Sequence, residues 1–125
     1  MYGNPNQVFE FYSDSDAITA IAAAPVTGGT FVKLAAGGAP QMPKVSTADA
    51  AAYTYGVAAY DAAAGERVTI LRKGVLGITA GAAVTPGPVE VGAGGKAVPR
   101  TAGIIVGYAH ADAAINNDAA VALSV

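Results

Sequence analysis

Apolar and polar positions alternate along this chain in short runs that end at glycine or proline. No stretch sustains the helical period over several turns. The clearest runs are Thr30 to Ala35, where polarity alternates around Lys33, and Glu66 to Lys73, where Val68 and Ile70 share one face and Arg67, Thr69 and Leu71 the other. That alternation predicts strands with one buried side. Further strands are predicted at Tyr53 to Tyr60, Val75 to Thr79, Val89 to Val91, Lys96 to Val98, Gly103 to His110 and Ala119 to Val125. Ala17 to Ala24 has helical propensity but stops at Pro25, too soon for a stable helix, and reads as a strand. Gly37-Gly38 is expected to break the strand before it, and Pro40 to Thr47 to form a loop. Thr47 to Tyr53, with Ser46 or Thr47 as cap, is expected to hold one or two helical turns. The pattern as a whole predicts an all-β barrel or sandwich with at most one short helix.

The pattern also repeats. Gly56 to Leu71 returns as Gly107 to Leu123 at an offset of 51 residues, matching Gly56 with Gly107, Asp61 with Asp112, and Ala62-Ala63 with Ala113-Ala114. Gly65 meets Asn116 at this offset, and these two residue types best tolerate a left-handed backbone. Asp61, Gly65, Asp112 and Asn116 are therefore expected to shape two equivalent turns, the aspartates by accepting hydrogen bonds from backbone amides. Val26-Thr27 matches Val84-Thr85 at offset 58, and Val32 to Gly38 matches Val89 to Gly95 at offset 57. The falling offset implies a longer loop in the first copy, between Ala39 and Tyr53. The expected organisation is a β-domain over residues 17–125 with halves of about 17–76 and 77–125, preceded by an extended arm over 1–16.

Composition narrows the function more than the fold. Charged residues make up 13% of the 125, against roughly 25% in ordinary soluble domains. Such thin cover suggests surface buried against other protein. A net charge of −2 with scattered basic residues lacks the basic patch that nucleic acid demands. The absence of cysteine excludes disulfides, thiolate metal sites and cysteine nucleophiles. No basic N-terminal region precedes an apolar run, and none is long enough to cross a bilayer, so neither secretion nor membrane insertion is expected.

Candidate chemistry is sparse. His110 is the single histidine, so it has no second imidazole to work with. Gly92 to Lys96 (GAGGK) lacks the glycine and the Ser/Thr that a phosphate-binding loop requires, and reads as a turn. Asp112, Asn116, Asn117 and Asp118 are hard oxygen ligands, as are Asp14 and Asp16, but neither cluster has calcium-loop spacing. No catalytic residue, metal site or cofactor follows from the sequence. Residues 1–16 stand apart: Tyr2, Phe9, Phe11 and Tyr12 lie in a polar Asn/Gln/Ser/Asp background, and Val8 alternates with Glu10 and Tyr12 against Phe9 and Phe11. An arm apolar on both sides is suited to docking, by adding a strand to a sheet edge and inserting aromatic anchors.

The succession Phe31-Val32-Lys33-Leu34, Tyr55-Gly56-Val57-Ala58, Asp61 to Thr69, Gly74-Val75-Leu76, Ile78 to Gly81, Gly95 to Val98 and Val106 to Ala109 resembles the small head-decoration, or capsid cement, proteins of tailed bacteriophages. The resemblance spans about residues 17 to 125. It departs at the final turn, where Ile115-Asn116-Asn117-Asp118 replaces an Ala-Gly-Glu type of ending. It implies a β-barrel or β-tulip domain that assembles as a homotrimer on the outer surface of the capsid. The implied partner is the phage major capsid protein, and the implied role is to stabilise the expanded shell after assembly in the host cytoplasm. The arm residues Tyr2, Val8, Phe9, Phe11 and Tyr12 would make the capsid contact. Two other classes remain open from the residues alone. A particle-displayed carbohydrate- or receptor-binding module would use Tyr53, Tyr55, Tyr60 and Tyr108 as stacking surfaces, and a small β-barrel enzyme is disfavoured by the missing constellation.

Overall fold

The computed structural model describes residues 17–124. The arm residues Tyr2, Val8, Phe9, Phe11 and Tyr12 lie outside the described residues, as do Asp14 and Asp16. Ten strands follow one another: β1 (Ala17–Ala22), β2 (Phe31–Ala39), β3 (Met42–Thr47), β4 (Gly56–Ala58), β5 (Arg67–Leu71), β6 (Val75–Thr79), β7 (Gly87–Val91), β8 (Ala97–Pro99), β9 (Gly107–Ala109) and β10 (Asp118–Leu123). A 3-10 turn at Ala93–Gly95 is the sole helical element among the described residues. The first five strands close a barrel in the order β1-β3-β2-β4-β5, and the last five form a sheet in the order β6-β10-β9-β7-β8.

The two strand sets are the same device built twice. In β1 and β5, Ile18 faces Ile70 and Ala20 faces Val68; in β6 and β10, Leu76 faces Val121 and Ile78 faces Ala119. The second set is the first displaced by 58 residues in one strand and 51 in the other. Likewise Val32 faces Gly56 as Val89 faces Gly107, and Leu34 faces Val45 as Val91 faces Ala97. Even the isolated bridges correspond, Val26–Ala62 with Val84–Ala113. The first barrel closes through the parallel pairing of β1 with β3 at Ile21–Lys44 and Ala22–Val45. In the second set that seam shrinks to the single parallel bridge Ala80–Ala97. The sheet is thus curled almost to a second barrel.

Each interior is lined by equivalent positions. Ala20, Ala22, Val26, Val32, Val45, Ala58, Ala62, Val68 and Ile70 fill the first. Their counterparts Ile78, Ala80, Val84, Val89, Ala97, Ala109, Ala119 and Val121 belong to the second cluster, and Ala113 packs against it partly buried. Volume moves between partners: the facing pair is Ala20 with Val68 in one copy and Ile78 with Ala119 in the other. Small side chains are needed because a five-stranded barrel has a narrow interior, and close packing tolerates a swap only when its neighbour compensates.

Gly56 and Gly107 recur for a related reason. A Cβ at Gly56 would lie 2.7 Å from Ile70 Cγ2, and one at Gly107 2.7 Å from Val121 Cγ1 and 2.5 Å from the Ala122 carbonyl oxygen. At this crossing the facing strand leaves no space for a side chain.

The sequence pattern misled at three places in the first copy. Gly37-Gly38 does not end a strand; β2 runs through it to Ala39, absorbing the glycines as an irregularity with Gly37 at φ 93°. Pro43 to Thr47 is not loop but strand β3, paired with β2 on one side and β1 on the other. Thr47 to Tyr53 holds no helix: β3 claims Thr47, and one hydrogen bond, Ala52 N to Asp49 O (3.3 Å), makes a tight turn with Ala51 at φ 62°. For β3, barrel closure supplies ladder partners on both sides that local propensity does not register. The extra residues of the first copy lie mainly in the β2–β3 hairpin, where the offset between copies falls from 57 at Leu34 to 52 at Val45.

The copies pack against each other asymmetrically. Phe31, Ala48 and Val57 point out of the first barrel and join the core cluster of the second. Three backbone hydrogen bonds seal the contact: Thr79 N to Gly29 O (2.9 Å), Ala51 N to Val91 O (2.8 Å) and Ile104 N to Ala51 O (3.2 Å).

Candidate functional site

The residues singled out by sequence fall into two structural groups. Gly65 and Asn116 occupy equivalent turn positions at φ 85° and 68°, and their amides donate to Ala22 O (2.7 Å) and Ala80 O (2.8 Å). Each turn thereby ties the start of β5 or β10 to the end of β1 or β6. The aspartates have diverged. Asp61 accepts a hydrogen bond from Gly28 N at 2.8 Å, linking the turn to a loop far away in sequence. The position equivalent to Gly28 is Pro86, which has no N–H to give. Asp112 therefore has no such donor opposite it.

Nothing among the described residues assembles a reaction centre. No three His, Asp or Glu side chains converge as metal ligands, and His110 sits exposed just after β9. The glycines of GAGGK serve packing: Gly94 and Gly95 have φ 71° and 73°, and a Cβ on Gly95 would lie 2.7 Å from the Phe31 carbonyl oxygen. Lys96 O accepts from Gly92 N (2.7 Å), closing the turn on itself instead of leaving amides for an anion. Asn116 and Asn117 likewise spend their backbone groups on Ala80.

One position pair carries opposite chemistry in the two copies. In the first, Lys33 on β2 reaches Asp49 beyond β3 at 2.8 Å. In the second, Glu90 occupies the place of Lys33 and binds the segment beyond β8, where Thr101 occupies the place of Asp49. Its carboxylate accepts from the backbone amides of Thr101, Ala102 and Gly103 and from the Thr101 hydroxyl. The Thr101 amide above all, then that of Gly103, holds its pKa below the ordinary glutamate value, against the opposing pull of burial.

Among the described residues, an apolar groove of about 260 Å³ lies between the copies, lined by Tyr53, Tyr55 and Arg72 on one side and Ile104, Val106 and Ser124 on the other. Tyr53 and Ile104 are equivalent positions, as are Tyr55 and Val106. Arg72 stacks its guanidinium 4.4 Å from the centre of the Tyr55 ring and donates through Nε to Tyr55 O at 2.9 Å. The Tyr53 hydroxyl accepts from Leu34 N at 3.1 Å. Of the four tyrosines suited to stacking a sugar, the fold brings Tyr53 and Tyr55 to this groove, leaving Tyr60 in the loop after β4 and Tyr108 on the outer face of β9. Sequence reasoning did not single out Leu34 or Ile104, each about half exposed. An apolar residue in an alternating strand is by default assigned to the core.

A family model of phage cement proteins matches residues 12–125. The chain belongs to the phage cement protein family. Its members are structural proteins of the phage capsid, not a class of enzymes. Among solved structures, the crystal structure of the head fiber gp8.5 N base of bacteriophage phi29 is similar at a TM-score of 0.73 and 20% identity, over 86% of this chain and 92% of that one. At that identity the likeness concerns the fold. The search of curated proteins returned no match.

Proposed function

We propose that this cement protein binds the outer surface of the phage head as a homotrimer and stabilises the expanded shell. Contact with the major capsid protein would be made through the arm residues Tyr2, Val8, Phe9, Phe11 and Tyr12. Membership of the cement family carries the reading. It is supported by the sparse surface charge and by several large apolar side chains left exposed on the described surface, Leu34, Val75, Ile104 and Tyr108 among them. The mechanism is association without chemistry. Three weak arms on one trimer act together, because once one has docked the others face a high local concentration of sites. The aromatic arm residues supply the anchors and the backbone supplies a strand for an open sheet edge. Deleting residues 2–12 is expected to leave a folded trimer, by circular dichroism and light scattering, that no longer co-sediments with expanded heads. Normal co-sedimentation of the truncated protein would overturn the role of the arm.

A further inference from the structure

The chain satisfies one of its own repeated surfaces and leaves the equivalent ones open. In the first copy, Phe31, Val57 and Ala48 form an outward face that the second copy buries, to 0%, 2% and 4% exposure. The same positions in the second copy are Pro88, Tyr108 and Arg100, all exposed, with Tyr108 at 47%. On the complementary side the imbalance is concentrated at one position pair, Leu34 and Val91. On the second copy, Thr79, Val91 and Ile104 meet the first copy through backbone hydrogen bonds. Their counterparts make no such bonds between copies: Ile21 pairs with Lys44 inside its own barrel, and the Leu34 amide bonds the Tyr53 hydroxyl, leaving the Leu34 side chain 44% exposed where Val91 is fully buried. Each chain thus carries one closed contact and the two halves of another.

We propose that copies of this chain associate head to tail, the Pro88–Tyr108 face of one seating on the Leu34–Tyr53 face of the next. This contact would repeat between chains the one that joins the two barrels within a chain. The occupant is a second copy, because both exposed faces lie on the same backbone framework that already forms this contact once. A contact between two different patches closes into a ring when its rotation allows, and the ring is the form that leaves neither patch in water. The inference rests on the self-association proposed above and specifies its surface.

Paired variants test it. Tyr108→Glu and Leu34→Glu, both at exposed positions, are checked for native circular dichroism and then weighed by multi-angle light scattering. Each alone is expected to run as a single chain, with association roughly a hundredfold weaker or more, as when a central aromatic or apolar anchor becomes a buried charge. Mixed one to one, they retain one intact pair of faces and are expected to form a two-chain species that grows no further. Either variant keeping the wild-type mass, or a mixture that stays single, overturns the head-to-tail surface while a wild-type oligomer would leave the self-association standing. A wild-type protein that is itself a single chain at micromolar concentration overturns both, and co-sedimentation with heads reports on capsid binding separately.

Discussion

Asp61 and Asp112 show how far a matched residue pair can part in role. Both close the same turn motif, yet Asp61 has the Gly28 amide to bond at 2.8 Å and Asp112 has Pro86 in its place. Asp61→Ala is therefore expected to destabilise the protein by about 1 kcal/mol, the value of an ordinary hydrogen bond. Asp112→Ala should stay within about 0.5 kcal/mol of wild type. Urea denaturation of the two variants side by side checks this, and equal effects would contradict it. Glu90 makes a pH-dependent contribution whose sign follows from its lowered pKa. Folding favours its ionised form, so the stabilisation is complete above the ordinary glutamate range, near 4.3. It is lost as pH falls through the depressed folded value. The wild-type melting temperature should drop over that acid range by more than that of Glu90→Gln, which has no charge to lose.

Among elements, the facing strand pairs carry the repeat's energetics. Ile78 against Ala119 and Ala20 against Val68 fill equivalent space with the larger side chain on opposite strands. Ile78→Ala removes that bulk from a fully buried site and is expected to cost about 2–5 kcal/mol. Adding Ala119→Val recreates the arrangement of the first barrel and should recover part of the loss, a coupling that a double-mutant cycle reads directly. Strand identity was largely legible from alternation, as β5, β6 and β7 illustrate. The hairpin β2–β3 was not, because Gly37, Gly38 and Pro43 are poor strand residues by themselves. β3 is held by β1, about twenty residues earlier in the chain, and β2 in turn by β3.

At the scale of the whole molecule, the barrels share a core through Phe31, Ala48 and Val57. They are expected to unfold together. Tyrosine signals from the first barrel, at Tyr55, and from the second, at Tyr108, should give coincident urea transitions, and Phe31→Ala should lower both midpoints. Separate transitions would show the barrels to be independent.

The sequence alone determined the β class, the internal duplication, the left-handed turn positions at Gly65 and Asn116, and the family resemblance. These are properties of local backbone preference and of residue order, which a linear chain displays directly. Tertiary structure decided the rest: that Gly56 and Gly107 are glycines because a facing strand crowds them, that Asp61 finds a donor and Asp112 does not, and that equivalent faces are buried in one copy and bare in the other. Those differences depend on which distant residue arrives opposite each position. Two copies related in sequence become unequal once one of them packs against the other.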